Sequence, residues 1–210
     1  MQEWPNPAEI QGVDLAQLEK EAYGPHGNPD HYLSSVDLER GFSELNPAPR
    51  DRGRLEAIVR RHADGSRETL QTTMLSIDEG LTGDGWNRRP PRKPDAQLAV
   101  MQMDIAQLIA GKQSITLFGD QLFVTLDLSA NNLPAGSRIQ VGQAIVEVTP
   151  EPHDGCLKFK DRFGQDALVF VGAPKTRNQN RRGVYWKVVE GGSIHVGDAI
   201  EIMSRAEISG

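Results

Sequence analysis

The chain has 210 residues, one cysteine, 23 Lys and Arg against 29 Asp and Glu, and a formal net charge of -6, with a mean hydropathy of -0.48. This length holds one substantial domain, or one domain with an appendage. The acidic balance argues against nucleic-acid binding, and no apolar run approaches the ~20 residues that cross a bilayer. A lone thiol and an N-terminus without a basic, then apolar, leader predict a cytoplasmic protein.

From Met1 to Leu45 acidic residues dominate: Glu3, Glu9, Asp14, Glu19, Glu21, Asp30, Asp37, Glu39 and Glu44 against Lys20 and Arg40. Residues 14–22 carry a short helical pattern ending before Gly24-Pro25. Its Asn, Pro and Gly flanks predict an N-terminal arm over residues 1–50, partly helical or irregular, laid on the surface or against a partner. Residues 55–61 and 68–76 flank Asp64-Gly65, whose glycine supplies the positive φ of a tight hairpin. Residues 95–110 read as the one main helix, capped by Asp95, with Leu98, Met101, Ile105 and Leu108 on one face and Gly111 past its end. Strands are predicted at 115–118, 138–149 (bent at Gly142), 167–171, 183–189 and 199–203. Many short strands with Gly, Pro, Asn and Asp turns predict a mainly β protein, a closed or partly open β-barrel over residues 51–210, because closure removes exposed edges.

Cys156 stands in a Pro- and Gly-broken loop, Pro150-Glu151-Pro152-His153-Asp154-Gly155-Cys156, with Lys158 two residues on. It is packing filler or chemistry, and polar, cationic flanks favour chemistry, since the thiolate is both nucleophile and metal ligand. Two stretches are purely basic: Arg88-Arg89-Pro90-Pro91-Arg92-Lys93, and the run from Lys175 through Arg177, Arg181, Arg182 and Lys187, with no carboxylate between Asp166 and Glu190. Each is a candidate for holding a small anion such as a phosphate, or a set of solvated loop charges. Gly111-Lys112-Gln113-Ser114 ends like a P-loop but follows a helix and lacks the upstream glycine. The five histidines have no metal-ligand spacing. A Cys156–His153–Asp154 triad is disfavoured, because residues so close in sequence seldom reach triad geometry.

Several segments then match one family in order. Gly80-Leu81-Thr82-Gly83-Asp84 resembles its "GL.GD" piece, and Phe118-Gly119-Asp120-Gln121-Leu122 its "FGENL". Leu133 to Gly142 resembles "l..Gdrl.vG", and Ala144 to Thr149 "a.levt". Cys156-Leu157-Lys158-Phe159 falls where the family places "PC.kl", and Gly183-Val184-Tyr185 through Ile200 resembles "G.Y.rVl..G.v..GD.i". The chain resembles the MOSC domain, the C-terminal domain of molybdenum-cofactor sulfurases, over about residues 55–205.

The resemblance implies a barrel-like fold and a cysteine that carries sulfur or ligates molybdenum on a pterin cofactor, which makes Cys156 the catalytic and metal-binding residue. Arg88, Arg89, Arg181 and Arg182 become candidates for the cofactor's phosphate, with Lys158 and Tyr185 beside them in the matched motifs. Asp84 either bonds pterin N–H groups or caps a turn. The sharper form is a molybdenum-dependent reductase of N-hydroxylated compounds, fed by a redox partner or, for sulfur transfer, by a cysteine desulfurase. No pyridoxal phosphate is expected in this chain, and homodimerisation stays open. The alternative is a cofactor-free barrel serving as a binding or interaction module with an inert cysteine. Two departures from the family pattern stand out. No histidine-glycine piece follows Asp84, and Gly155 replaces the proline before the cysteine. His153, when protonated, would favour the thiolate.

Overall fold

The computed structural model describes residues 24–86 and 93–207. Its strands are β1 (Arg52–Arg61), β2 (Arg67–Leu70), β3 (Thr72–Ser76), β4 (Gly80–Leu81), β5 (Leu98–Gln102), β6 (Leu122–Val124), β7 (Arg138–Val141), β8 (Ala144–Val148), β9 (Val184–Glu190), β10 (Gly192–His195) and β11 (Ala199–Ser204). Its helices are α1 (Ser35–Glu44), α2 (Met103–Ala110) and α3 (Leu157–Gly172). Among the described residues, β1, β6, β5, β9, β8, β7 and β11 pair in that order, and β11 returns to β1, so the protein is mainly β and built on a closed seven-stranded barrel. β2 extends from β1 as the predicted hairpin, with Gly65 at φ 82°. β10, β3 and β4 form a small second sheet.

Two apolar clusters explain which way the strands face. Leu55, Ile58, Leu98, Val100, Leu122, Val124, Val184 and Trp186 fill the barrel. Val59, Met101 and Phe123, from the same strands, face outward into a layer built by α1, α2 and α3. Strand alternation alone would put Leu55 and Ile58 on opposite faces, being three residues apart. The register shift between Leu55 and Ala57 against β6 reverses the parity and turns both inward.

Three predicted elements differ. Residues 95–110 are not one helix: a 3-10 turn (Pro94–Ala96) leads into β5, and α2 starts at Met103. Every residue from Leu98 to Met101 is buried, because β5 lies between barrel core and helical layer. Such an apolar run fits either period, and tertiary burial decided it. Residues 115–118 form a 3-10 turn, and the strand is β6 instead. Residues 167–171 belong to α3, where Ala167, Phe170 and Val171 share one face in the layer that holds Leu38. The bend at Gly142 is the turn of the β7–β8 hairpin.

From residue 24 the N-terminal segment lies along α3. His26 Nδ1 is 2.6 Å from the Asp161 carboxylate, Tyr32 donates to the Asp161 carbonyl, and the Ser35 N–H donates to Asp166 at 2.8 Å. The helix predicted at residues 14–22 lies outside the described residues.

Candidate functional site

Ala99 of β5 and Tyr185 of β9 are register partners. Their neighbours Leu98, Val100, Val184 and Trp186 point into the barrel, so alternation turns Ala99 and Tyr185 outward. Opposite them runs the first half of α3, where Phe159, Arg162 and Phe163 lie at i, i+3 and i+4 and share a face. Gly164, at φ 90°, breaks the helix after that face, and the second half turns to the helical layer. Between barrel and helix lies a cleft of about 400 Å³. Arg61, Arg67, Lys93, Lys158, Arg162 and Arg182 line it, with Asp154 the one carboxylate in its wall among the described residues.

Cys156 is exposed on the rim, at the N-cap position of α3, where its carbonyl accepts the Lys160 N–H at 3.0 Å. The floor is aromatic: Phe118 stacks on Phe163 at 4.1 Å, and the Arg182 guanidinium lies 5.1 Å from the Phe159 ring centre. Arg182 Nη1 bridges both oxygens of the fully buried Asp120, at 2.7 and 2.9 Å. Burial pushes the Asp120 carboxyl up, and Arg182, Arg61 and Arg162 oppose that. The Tyr185 phenol is raised by its burial and by Asp120, so it stays protonated. Arg162 donates to the carbonyls of Pro25 and Leu117, both at 3.0 Å, which ties the N-terminal segment to the cleft wall.

Of the predicted site residues, Cys156, Lys158, Arg182 and Tyr185 line the cleft together. Arg181 does not. It pairs with Glu39 of α1 at 2.7 Å, between the rings of Phe42 and Phe170, and serves as a strap between α1 and α3. Nor do Arg177 and Lys187 of its sequence cluster line the cleft: Arg177 reaches Asp154 at 3.4 Å and Lys187 reaches Glu147 at 2.9 Å. Arg88 and Arg89 lie outside the described residues. Asp84 is buried behind the cleft and caps its turn, accepting the N–H groups of Arg61 and Trp86, both at 2.8 Å. It is no donor-facing wall group. His153 also corrects an expectation. Burial, reinforced by Arg182 and Arg61, holds its imidazole well below its ordinary pKa. It is neutral near pH 7 and lends Cys156 no positive charge.

Asp84 makes a pH prediction. Burial alone would raise its carboxyl, but the Arg61 bonds and charge and the two N–H donors outweigh it and hold the carboxyl low. A carboxyl depressed in the folded state stabilises above its unfolded pKa of about 3.9, and that stability fades as pH falls through the folded value. Asp84→Asn is therefore expected to be less stable than wild type at neutral pH, with the gap narrowing as the solution turns acid. Urea unfolding across the acid range checks this, and a constant gap would contradict it.

Sequence reasoning missed Arg61, Arg67, Trp86, Gln121 and Arg162 as cleft residues. Asp120 and Gln121 stand inside a matched motif, but the match speaks to fold and not to the cleft. Gln121 joins the floor together: its side chain accepts the Ala99 N–H at 2.8 Å and donates to the Gln97 carbonyl at 3.2 Å. Arg61, Arg67 and Arg162 carry no local signal, since their convergence is a product of barrel closure and the packing of α3.

Known proteins share this arrangement of strands and helices. The solved structure of YiiM from Escherichia coli aligns with a TM-score of 0.50 at 22% identity, over 74% of this chain and 72% of that one. The YUAD protein from Bacillus subtilis aligns with a TM-score of 0.52 at 17% identity, over 72% of this chain and 95% of that one. In sequence, the curated "Uncharacterized protein YflK" of Bacillus subtilis (strain 168) is 30% identical over 90 residues, 43% of this chain. The match spans 38% of that relative's length. A family model described as the MOSC domain matches residues 84–201, more than half of the chain, from the turn-capping aspartate through the cysteine loop to the last barrel strand. By that match, the chain belongs to the MOSC domain family.

Proposed function

We propose that the cleft binds a molybdenum–pterin cofactor, with Cys156 as the protein's thiolate ligand to the metal, and that the protein reduces N-hydroxylated compounds with electrons from a redox partner. The observation that carries this reading is the exposed Cys156 thiol on the rim of a cationic, aromatic-floored cleft. Soft thiolate suits such a metal, and guanidinium groups suit a phosphate tail. No group of three or more His, Cys, Asp or Glu side chains among the described residues is placed to hold a bare metal ion. One thiolate fits a metal whose other ligands arrive with the pterin. When bound, the group supplies two-electron redox chemistry at the metal.

The chain's own residues then divide the work. Arg162, Lys158 and Arg182 neutralise an anionic tail, Tyr185 and Trp86 offer flat faces to a planar ring, and Cys156 fixes the reacting end at the rim. Exposure of the thiol also favours a second reading. An accessible thiol can carry a sulfane sulfur handed over by a separate desulfurase.

The test is molybdenum content by elemental mass spectrometry after purification from a host that makes the cofactor. Wild type is expected to carry near-stoichiometric metal and Cys156→Ser almost none. Metal absent from both would overturn the cofactor reading. Intact mass one sulfur atom heavier on Cys156 alone would favour sulfur carriage.

A further inference from the structure

His153 is a buried side chain that the cofactor reading leaves without a task. Only 4% of its side-chain surface is exposed, yet it lines the cleft. Its ring lies 4.2 Å from the Tyr185 ring, which holds it in place from one side. Nδ1 is fully buried and has no hydrogen-bond partner among the described residues, so Nε2 is the ring nitrogen left to face the cleft. What Nδ1 faces is the Asp120 carboxylate, 3.7 Å from Oδ1, too long for a hydrogen bond. Arg182 Nη1 holds both oxygens of that carboxylate, and among the described residues the Arg182 Nε is itself buried without a partner.

A neutral imidazole carries one proton, and its tautomer is set by what the other nitrogen meets. The Asp120 carboxyl oxygens behind Nδ1, held by Arg182 Nη1 at 2.9 and 2.7 Å, are acceptors that draw the proton to that nitrogen. Nε2 is then a lone pair directed at the cleft, in a wall lined mainly by cationic donors and aromatic rings, where Asp154 is the one carboxylate among the described residues. The geometry points to His153 as a specificity-determining residue, the acceptor that selects ligands presenting an O–H or N–H group, with Asp120 positioning it from behind. This role deepens the proposed function and rests on it for the ligand class, where the donor is the O–H of a hydroxylamine-type substrate. A ligand that donates to Nε2 stabilises the Nδ1–H tautomer, and the long contact to Asp120 can then shorten. Long catalytic hydrogen bonds that tighten on binding are common in unliganded sites. Asp154, the acid next to His153 in sequence, is exposed and pairs with Arg177 instead.

The experiment is a long-range proton–nitrogen NMR spectrum of the full chain with labelled histidine, titrated with N,N-diethylhydroxylamine and, separately, its O-methyl ether. The ether has similar shape and no donor. His153 is expected as the Nδ1–H tautomer, with Nε2 shifting on addition of the hydroxylamine and staying still with the ether. His153→Phe keeps the ring against Tyr185 and removes the acceptor. It is expected to weaken hydroxylamine binding about tenfold, the worth of one hydrogen bond, and to leave ether binding unchanged. An Nε2–H tautomer, or equal Nε2 responses to both compounds, overturns the assignment on the wild-type protein alone, whether or not the variant folds. Repeating the titration on Cys156→Ser separates the two readings. An Nε2 response in both wild type and Cys156→Ser, with molybdenum absent from both, keeps His153 and overturns the cofactor reading. Full metal content with no response does the reverse.

Discussion

Asp120→Ala is expected to lower the unfolding free energy by about 3–5 kcal/mol, the usual cost of stranding one member of a buried ion pair. Asp120 is wholly buried and Arg182 is 9% exposed, and one guanidinium nitrogen touches both carboxylate oxygens. Removing the carboxylate leaves a buried cation whose Nε already lacks a partner among the described residues. The mirror variant, Arg182→Met, has a pH signature. It removes the strongest opposition to burial, so the Asp120 carboxyl rises further. A carboxyl raised in the folded state binds its proton more tightly there. The stability it brings is present at low pH and lost as pH climbs through the folded value. Arg182→Met should therefore weaken as pH rises above the unfolded carboxyl value of about 3.9, opposite in sign to the acid loss that Asp84 produces. The double variant Asp120→Leu/Arg182→Met should recover much of the stability, because an apolar pair of similar volume carries no desolvated charge. Urea unfolding of the three proteins at two pH values decides it. A double variant as unstable as the single ones would place the cost in packing and not in charge.

That pair also marks where the sequence stops being readable. Along β7, β8, β9 and most of β11 buried residues alternate with more exposed ones, because one face meets the barrel interior. β5 and β6 meet apolar groups on both faces, Leu98 and Val100 inward and Met101 and Phe123 outward, which erases the period-two signal. Residues 167–171, whose Val and Phe suit a strand, are helix because one face packs against α1. Composition and loop context are enough to mark Cys156, and motif order is enough to mark Tyr185 and Lys158, whereas the basic run marks Arg181 and Arg182 alike. Arg181 and Arg182 are adjacent and chemically identical, yet one straps α1 and the other enters the cleft. Only the direction of the backbone between Asn180 and Val184 separates them.

Gly183 sets that direction, and Gly183→Ala is expected to cost about 3 kcal/mol or more, from a disfavoured dihedral and a backbone collision together. Gly183 has φ 95°, and a Cβ there would lie 2.1 Å from the Val100 carbonyl oxygen. That carbonyl belongs to β5, bonded on both sides within the barrel, so it cannot retreat. Gly197 supplies the control. It has the same φ of 95°, and a Cβ there would meet no atom within 4 Å. Gly197→Ala carries the dihedral cost alone and should lose roughly 1 kcal/mol. The difference between the two variants, read from urea unfolding, measures how closely the β9 approach is packed against β5. The functional consequence follows from position. Gly183 separates Arg182 from Tyr185, two groups of the cleft wall, and any shift that frees the methyl moves both. Gly183→Ala should thus lose hydroxylamine binding at protein concentrations and temperatures where it is still folded, while Gly197→Ala binds as wild type. Equal losses of stability in the two variants would show that β5 yields, and that the cleft is softer than its buried ion pair implies.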